Sequence, residues 1–275
     1  AVNECDVLFL VGARVGDRAV KTPLALEKTT KIIHIDIDPA EIGKNIGADL
    51  PLVGDAKLVL QQMTELAKPM KHDEWIAHIK TLGGERKYVE PAKGTVNPRV
   101  FIDRLAKKMP ANVTVVADVG QNQIWTCTEY KFRKEGRLLT SGGMGTMGYS
   151  VPAAIGAKMA DNSRATVAIC GDGAFQMSFM ELATAVQFGV DIKVVVMTNN
   201  RLGMVRELQT NGYHDRQTAV FLDGSPDFIK LAEAYGIPAM RVYDDDTMDK
   251  GIEMLAEHKG ICLVEVVVDK DMPTL

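Results

Sequence analysis

Several classes of protein are excluded by what this sequence lacks. Its four cysteines are far apart and form no CxxC pair, which indicates a reducing, cytoplasmic setting. No apolar run approaches the roughly 18 residues that span a membrane. Lys and Arg are scattered and the net charge is −4, so we expect neither nucleic acid nor a membrane surface as a partner. The five histidines have no zinc-site spacing.

The composition is that of a folded globular protein. Hydrophobic residues make up 46% of the chain and charged residues 25%, which excludes a disordered chain. The length of 275 residues predicts about two domains. Residue 1 is Ala, and no charged leader with a cleavage site precedes the first apolar run, so we expect a piece of a longer chain.

Apolar strand patterns alternate with amphipathic helix patterns along the chain. Strands are predicted at 6–11, 31–38 and 50–54, and a helix follows Asp55. Residues 69–95, rich in charge and in Pro and Gly around a helix at 73–82, are predicted to link a first domain (1–68) to a second (96–275). In the second domain helices are predicted at 99–108, 151–159, 176–188, 227–235 and 247–257, and strands at 113–118, 165–170, 192–197, 240–242 and 262–268. This alternation predicts an α/β fold of parallel sheets covered by helices.

A carboxylate between two glycines follows the strand predicted at 165–170. Ligands bind at the carboxyl ends of parallel strands, where such loops lie. Gly171 and Gly173 would let the backbone approach a phosphate, and Asp172 would give Mg²⁺ one hard oxygen ligand. The segment alone is equally consistent with an Asp-Gly turn in which Asp172 caps the following helix.

Two asparagines end the next strand. Consecutive strand–helix units place their loops side by side, so Asn199 and Asn200 are candidates to face the same ligand as Asp172. An amide carbonyl is a second hard oxygen donor, although Asn is also common in plain turns. Two other loops lie at 118–122, where a predicted strand ends, and at 140–148, where four glycines occur within seven positions. Such a loop indicates either backbone packed against a ligand or simple flexibility.

These motifs together resemble a known family. The stretch GDGAFQMSFMELATAVQFGVDIKVVVMTNNRLGMV, preceded by TSGGMGTMGYSVPAAIGA, is similar to the acetolactate synthase (acetohydroxyacid synthase) family of thiamine diphosphate-dependent enzymes. The resemblance covers nearly the whole chain. It implies a thiamine diphosphate-binding fold preceded by part of a Rossmann-like middle domain.

The resemblance implies a Mg²⁺ site made by Asp172, an Asn and the backbone carbonyl of Arg201. Anchoring on the LGM block at 202–204 places the Asn ligand at Asn199, 27 positions after Asp172, with Asn200 as the alternative. The residues implied in cofactor binding are Gly120, Gln121, Asn122, Gly145, Met147, Gly171, Asp172, Gly173, Ala174, Asn199, Leu202, Gly203 and Met204.

Individual roles within that set follow from the resemblance as well. The N–H groups of Gly173 and Ala174 would bind the diphosphate. The Gly145 carbonyl would accept from the aminopyrimidine amine, and Met147 would hold the cofactor in its bent shape. Asn122 stands where the family has His, and we expect its amide to donate to a phosphate oxygen instead.

The first 68 residues resemble the family's middle domain, which binds FAD in the intact enzyme. The equivalent FAD-binding positions are Arg14, Arg18, Asp36 and Asp55. The match is incomplete, because Val15 and Gly16 replace the family's Phe and Asp and the first half of that domain is absent from this sequence. FAD is therefore expected in the intact enzyme and not in this chain alone.

The implied function is acetolactate synthesis in branched-chain amino acid biosynthesis. Pyruvate is decarboxylated and the hydroxyethyl unit condenses with a second 2-keto acid, in a homodimer or homotetramer with which a regulatory small subunit can associate. The family's activating glutamate lies in a pyrimidine-binding domain that this sequence does not contain, so the chain supplies half of the site and no turnover is expected. Leu208 replaces the family's Trp in the acceptor pocket.

Two alternatives remain open from the sequence. One is another thiamine diphosphate enzyme, such as a pyruvate oxidase or a 2-keto acid decarboxylase. The other is a non-catalytic half that binds thiamine diphosphate. A dehydrogenase is not supported, because residues 12–16 do not fit the GxGxxG spacing.

Overall fold

The structure, a computed structural model, describes residues 1–16, 23–82 and 88–274. The chain forms two compact units, Ala1–Arg86 and Lys87–Leu275. The boundary between them lies within the residues predicted as a linker, and the helix predicted at 73–82 belongs to the first unit. Among the residues described, no helix is long and apolar enough to cross a bilayer.

The first unit contains a small parallel sheet in the strand order β1-β2-β3. Its elements are β1 (Val7–Val11), α1 (Pro23–Glu27), β2 (Lys31–Asp36), β3 (Leu50–Val53), α2 (Ala56–Leu66) and α3 (Asp73–Leu82). Leu10, Ile32 and Ile46 are buried together in its core. The helix predicted after Asp55 is present as α2, and the Asp55 side chain caps it by accepting from the N–H of Leu58.

The second unit contains a larger sheet in which every pairing is parallel, in the order β5-β4-β6-β7-β9-β8. Its elements are α4 (Pro98–Lys108), β4 (Thr114–Ala117), α5 (Gln121–Glu129), β5 (Arg137–Thr140), α6 (Ser150–Ala160), β6 (Thr166–Gly171), α7 (Asp172–Gln176), α8 (Leu182–Gln187), β7 (Lys193–Thr198), α9 (Gly203–Gly212), α10 (Phe228–Ala234), β8 (Ala239–Val242), α11 (Asp245–Glu257) and β9 (Cys262–Val267). The predicted α/β fold with parallel sheets is confirmed.

Burial explains why the central strands were readable from sequence. Every residue of β4 and β7 is buried, as expected for strands covered on both faces. One core cluster contains Phe101 and Trp125, and another contains Phe175 and Phe228. Asn97 is the N-cap of α4, and its side chain accepts from the first N–H groups of that helix, with proline at the first helical position.

The single helix predicted over 176–188 is wrong. Helix α7 ends at Gln176, a 3₁₀ turn covers Phe179–Glu181, and α8 follows. The break lies at Ser178, whose φ of −144° is outside the helical range.

Four further elements had no sequence prediction, namely α1, α5, α9 and β5. Helix α5 is polar and has no side-chain cap, and β5 is a short strand at the edge of the sheet.

Strand β4 lies at the point where the order of the large sheet reverses. After β4 the chain moves outward to β5 and then returns to place β6 on the other side of β4. The loops that follow β4 and β6 therefore leave the sheet in opposite directions and open a crevice between them. In open parallel sheets this crevice is where ligands bind.

Candidate functional site

A pocket occupies the crevice at the ends of β4, β6 and β7. It is lined by backbone and side chains from the three loops that follow these strands, together with Met147. Most residues predicted to bind the cofactor line it, namely Gly120, Gln121, Asn122, Met147, Gly171, Asp172, Gly173, Ala174, Asn199, Leu202, Gly203 and Met204. Arg201 lines it as well. The structure therefore gathers residues spread over more than 80 positions of sequence into one cavity.

Asp172 is the buried acid of this pocket. Its side chain is 1% exposed, and its carboxylate accepts from the N–H groups of Asn199 at 3.1 Å and Asn200 at 2.6 Å. The N–H of Gly173 donates to the other oxygen at 2.8 Å. Burial raises the pKa of Asp172 to about 6 even though these hydrogen bonds act in the opposite direction. Because burial disfavours the ionised carboxylate, a nearby cation would stabilise that form.

The loop after β7 places Asn199 and Asn200 in different surroundings. Asn199 lines the pocket, and its Oδ1 accepts from the N–H of Arg201 at 3.1 Å. Asn200 is exposed, is not among the lining residues, and adopts a φ of 54° that Asn tolerates better than most residues. Among the described residues, no group donates to the carbonyl of Arg201.

The donor set around Asp172 is thus one carboxylate with amide and carbonyl oxygens. In the described part of the chain, no group of three or more His, Cys, Asp or Glu side chains is arranged to hold a metal. Oxygen donors of mixed type suit Mg²⁺, which takes one or two carboxylates and fills the rest of its coordination from other oxygens.

Gln121 and Asn122 begin helix α5 and are both buried. The Nδ2 of Asn122 donates to the carbonyls of Asp118 at 2.8 Å and Ile169 at 3.1 Å. This amide therefore ties the ends of β4 and β6 together. We expected this side-chain amide to donate to a phosphate oxygen. In this structure both of its N–H groups donate to the two carbonyls instead.

Asp118 is a buried acid beside the pocket whose contacts sequence reasoning missed. It is fully buried at the end of β4, and its carboxylate accepts from the N–H groups of Gly148 at 3.0 Å and Ser150 at 2.7 Å. These bonds hold the loop that carries Met147 against the strand end. Gly145 in the same loop is exposed and does not line the pocket. The available signal was the Asp at the first position of the predicted loop at 118–122.

Two glycines of this site lie in close contact with neighbouring side chains. A Cβ on Gly173 would lie 2.7 Å from Leu202 Cδ2 and 3.4 Å from Met147 Cε. A Cβ on Gly203 would lie 1.9 Å from Gln121 Oε1, a distance that no real contact shows. A side chain at Gly173 would have to displace the end of Leu202, and one at Gly203 the amide of Gln121.

Residues 118–266, more than half of the chain, match the family model described as the C-terminal TPP binding domain of thiamine pyrophosphate enzymes. The chain belongs to the thiamine pyrophosphate enzyme family. The central-domain model of thiamine pyrophosphate enzymes matches residues 1–63. The resemblance seen in the sequence is confirmed, and the pocket lies within the matched thiamine pyrophosphate (thiamine diphosphate) binding domain.

Several relatives within the thiamine pyrophosphate enzymes are named acetolactate synthase. The chain is 36% identical to the acetolactate synthase large subunit of Lactococcus lactis subsp. lactis, over 98% of the chain and 47% of the relative. It is 38% identical to the probable acetolactate synthase large subunit of Methanocaldococcus jannaschii, with the same coverage. The isozyme 2 large subunit of Escherichia coli is 34% identical over 98% of the chain and 49% of its own length. The chain spans about half the length of the curated relatives it matches.

The remaining predicted residues of this thiamine pyrophosphate enzyme lie elsewhere. Leu208 is on α9, is 51% exposed and does not line the pocket. In the first unit, Arg14 is exposed and Asp36 accepts from the N–H of Asp38. Arg18 lies outside the described residues.

Proposed function

We propose that the chain forms the central and cofactor-binding parts of an acetolactate synthase catalytic subunit, acting in the cytoplasm. This enzyme decarboxylates pyruvate and joins the remaining two-carbon unit to a second 2-keto acid, in branched-chain amino acid biosynthesis. The names of the relatives support this activity, and so does their coverage of 98% of the chain. The observation that carries the proposal is the meeting of Asp172, Asn199 and the glycine backbone of Gly173 in one pocket.

The residues present fit Mg²⁺. We assign the Asp172 carboxylate, the Asn199 Oδ1 and the Arg201 carbonyl as its protein ligands, because each is an oxygen donor in the wall of one pocket. A cation there would offset the cost of burying the Asp172 charge. Asn199 is preferred to Asn200, since only Asn199 lines the pocket.

The pocket also fits thiamine diphosphate. When bound, this cofactor stabilises the carbanion on which decarboxylation depends. The backbone N–H groups of Gly173 and Ala174 would bind the diphosphate, and the Asp172 carboxylate would hold the Mg²⁺ that neutralises its charge. Met147 supplies an apolar, flexible wall for the rest of the cofactor. We retain Gly145 and Leu208 as proposed contacts to the aminopyrimidine and to the acceptor acid, on the strength of the resemblance alone.

In the first unit, the described residues proposed to contact FAD make other hydrogen bonds. The Asp55 carboxylate caps α2, and that of Asp36 is used within its own turn. Arg14 is exposed, with its carbonyl accepting from Asn45 at 2.7 Å. We propose FAD as a cofactor of the intact enzyme and not of this chain alone.

The proposal extends to partners. Because the relatives are named large subunits, we propose a smaller partner subunit and a homodimer or homotetramer of the catalytic chain. Pyruvate and a second 2-keto acid are the proposed substrates.

A calorimetric titration of the chain with thiamine diphosphate tests the site directly. Binding is expected with Mg²⁺ and not in EDTA, and Asp172→Ala is expected to abolish the Mg²⁺-dependent part. Asp246→Ala, which removes an exposed carboxylate on α11, is the matched control and is expected to bind as the unaltered chain does. Metal-independent binding that Asp172→Ala leaves unchanged would overturn the site.

Product analysis tests the activity itself. The natural polypeptide that contains this chain is incubated with pyruvate, thiamine diphosphate and Mg²⁺. Acetolactate is the expected product, and acetyl phosphate or an aldehyde in its place would assign a pyruvate oxidase or a decarboxylase instead.

A further inference from the structure

Glu207 lies on α9 and has no assigned role, yet it contacts the wall of the pocket. Its carboxylate is half-buried and accepts from the Nε2 of Gln121 at 3.2 Å. Both the N–H and the hydroxyl of Thr274 also donate to it, the N–H at 3.2 Å. Glu207 therefore joins the segment at Thr274 to the start of α5.

These contacts fix which way the amide of Gln121 faces. Its Nε2 lies within hydrogen-bond distance of three acceptors, which are the Glu207 carboxylate, the Met272 carbonyl at 2.9 Å and the Thr274 hydroxyl at 3.1 Å. A rotated amide would place its own carbonyl against a carboxylate and another carbonyl, which is unfavourable inside a buried site. The Oε1 of Gln121 is thus directed away from Glu207.

The Oε1 of Gln121 meets the proposed metal ligand. It accepts from the Nδ2 of Asn199 at 3.2 Å, so the amide nitrogen of Asn199 is engaged on this side. The Oδ1 of Asn199 remains as the oxygen available to a cation. The fit is tight, because a single Cβ on Gly203 would collide with Gln121 Oε1 at 1.9 Å and reach Asn199 Nδ2 at 3.0 Å.

We propose that Glu207 is a positioning residue that sets the orientation of the Asn199 amide through Gln121 and so raises the affinity of the site for a divalent cation. The inference rests on the proposed function, because it takes Asn199 as a metal ligand. Residues that hydrogen-bond to a metal-coordinating side chain and orient it typically contribute 10- to 100-fold to metal affinity. The negative charge of Glu207 strengthens its bond to Gln121, since hydrogen bonds to ionised acceptors are stronger than neutral ones.

The test is a titration of the chain with Mn²⁺ in the presence of thiamine diphosphate. Electron paramagnetic resonance measures the free Mn²⁺ at each point. Glu207→Ala is expected to raise the Kd for Mn²⁺ about tenfold. Glu207→Gln keeps an oxygen that accepts from Gln121 and Thr274, and its Kd is expected to stay within about threefold of the unaltered chain. Glu233→Ala removes an exposed glutamate on α10 and is expected to change nothing.

Thr274→Val gives a second route to the same result. It removes the hydroxyl between Glu207 and Gln121 without removing a charge, and its Kd is expected to rise by less than that of Glu207→Ala. Unfolding midpoints measured without Mn²⁺ identify any variant whose fold is impaired. Glu207→Gln is expected to keep the Mn²⁺ affinity that Glu207→Ala loses. If the charge of Glu207 served only to stabilise the fold, Glu207→Gln would lose that affinity as well.

The outcomes separate the inference from the proposed function. If Asp172→Ala abolishes Mn²⁺ binding while Glu207→Ala binds as tightly as the unaltered chain, the positioning role is refuted and the site stands. If Asp172→Ala binds Mn²⁺ as the unaltered chain does, the proposed site and the inference fail together. Loss of affinity in Glu207→Ala that Glu207→Gln restores supports both.

Discussion

The carboxylate of Asp172 accepts a hydrogen bond from the N–H of Asn200 at 2.6 Å. This bond links the end of β6 to the loop after β7, and Asn200 meets it by adopting a φ of 54°. The same carboxylate oxygen accepts from the N–H of Asn199. Asp172 and Asn199 are therefore brought together by backbone hydrogen bonds and need no ligand to meet.

Burial of Asp172 predicts an unusual pH dependence of stability. Its pKa is raised from 3.8 to about 6, so the folded chain holds a proton there that the unfolded chain has already lost. Relative to Asp172→Asn, the free energy of unfolding is expected to fall as the pH rises from about 4 to 6, by at most about 3 kcal/mol. Urea unfolding in EDTA at several pH values measures it.

The control for this measurement is Asp246→Asn, which changes an exposed carboxylate on α11. The difference in the free energy of unfolding between this variant and the unaltered chain is expected to stay constant over the same pH range. A difference between the unaltered chain and Asp172→Asn that does not change between pH 4 and 6 would contradict the prediction.

Gly203→Ala is expected to impair both folding and binding. The new methyl group would lie 1.9 Å from Gln121 Oε1, so the Gln121 amide must move. We expect a loss of about 1–3 kcal/mol in the free energy of unfolding and weaker binding of thiamine diphosphate with Mg²⁺. Gly212→Ala, in open space at the end of the same helix, is the matched control. Equal stability of the two variants would show that the site tolerates a side chain at Gly203.

Asp118→Asn is expected to loosen the loop that carries Met147. The N–H groups of Gly148 and Ser150 donate to different oxygens of Asp118, and one of these oxygens becomes an amide nitrogen that cannot accept. One of the two donors is then left unsatisfied, at a cost of about 1–3 kcal/mol. Hydrogen exchange at Gly148 and Ser150 is expected to accelerate. Asp161→Asn, at the end of α6, provides the comparison. Unchanged exchange in Asp118→Asn would mean that other contacts hold the loop.

The cysteines are expected to react with iodoacetamide in a fixed order. Cys127 is exposed, whereas Cys170 is fully buried on β6 and its thiol donates to the carbonyl of Val195. Burial raises the pKa of Cys170 well above its ordinary value and that of Cys262 to about 11. Peptide mass spectrometry of the native chain should show Cys127 alkylated at least about 100-fold faster than Cys170. Comparable rates would indicate that β6 opens readily.

The parts of the site that are local in sequence could be predicted. Asp172 between two glycines, and Asn199 one strand later, are close to strand ends whose apolar runs are unmistakable. Parallel pairing then brings their loops together without any further information. The α/β fold was predictable for the same reason, because fully buried strands leave an apolar signal.

The parts that depend on distant contacts could not be predicted. Gln121 and Thr274 are 153 positions apart, and only the folded chain shows that one holds the other. Asn122 was expected to face a phosphate, but its amide binds two strand-end carbonyls, an outcome decided by tertiary geometry. Asp118 looked like any acid before a turn, since its partners lie 30 and 32 positions later.

The pocket lies at the ends of β4, β6 and β7, so a ligand bound there is expected to stabilise the whole second unit. These strands form the interior of the sheet, so the loops that follow them can come apart fully only when the sheet itself separates. By mass action, a ligand that binds only the folded state adds RT ln(1 + [L]/Kd) to stability, about 2.7 kcal/mol at a hundred times Kd. The cofactor would then act as part of the core and protect the second unit from global unfolding and from the proteolysis that follows it.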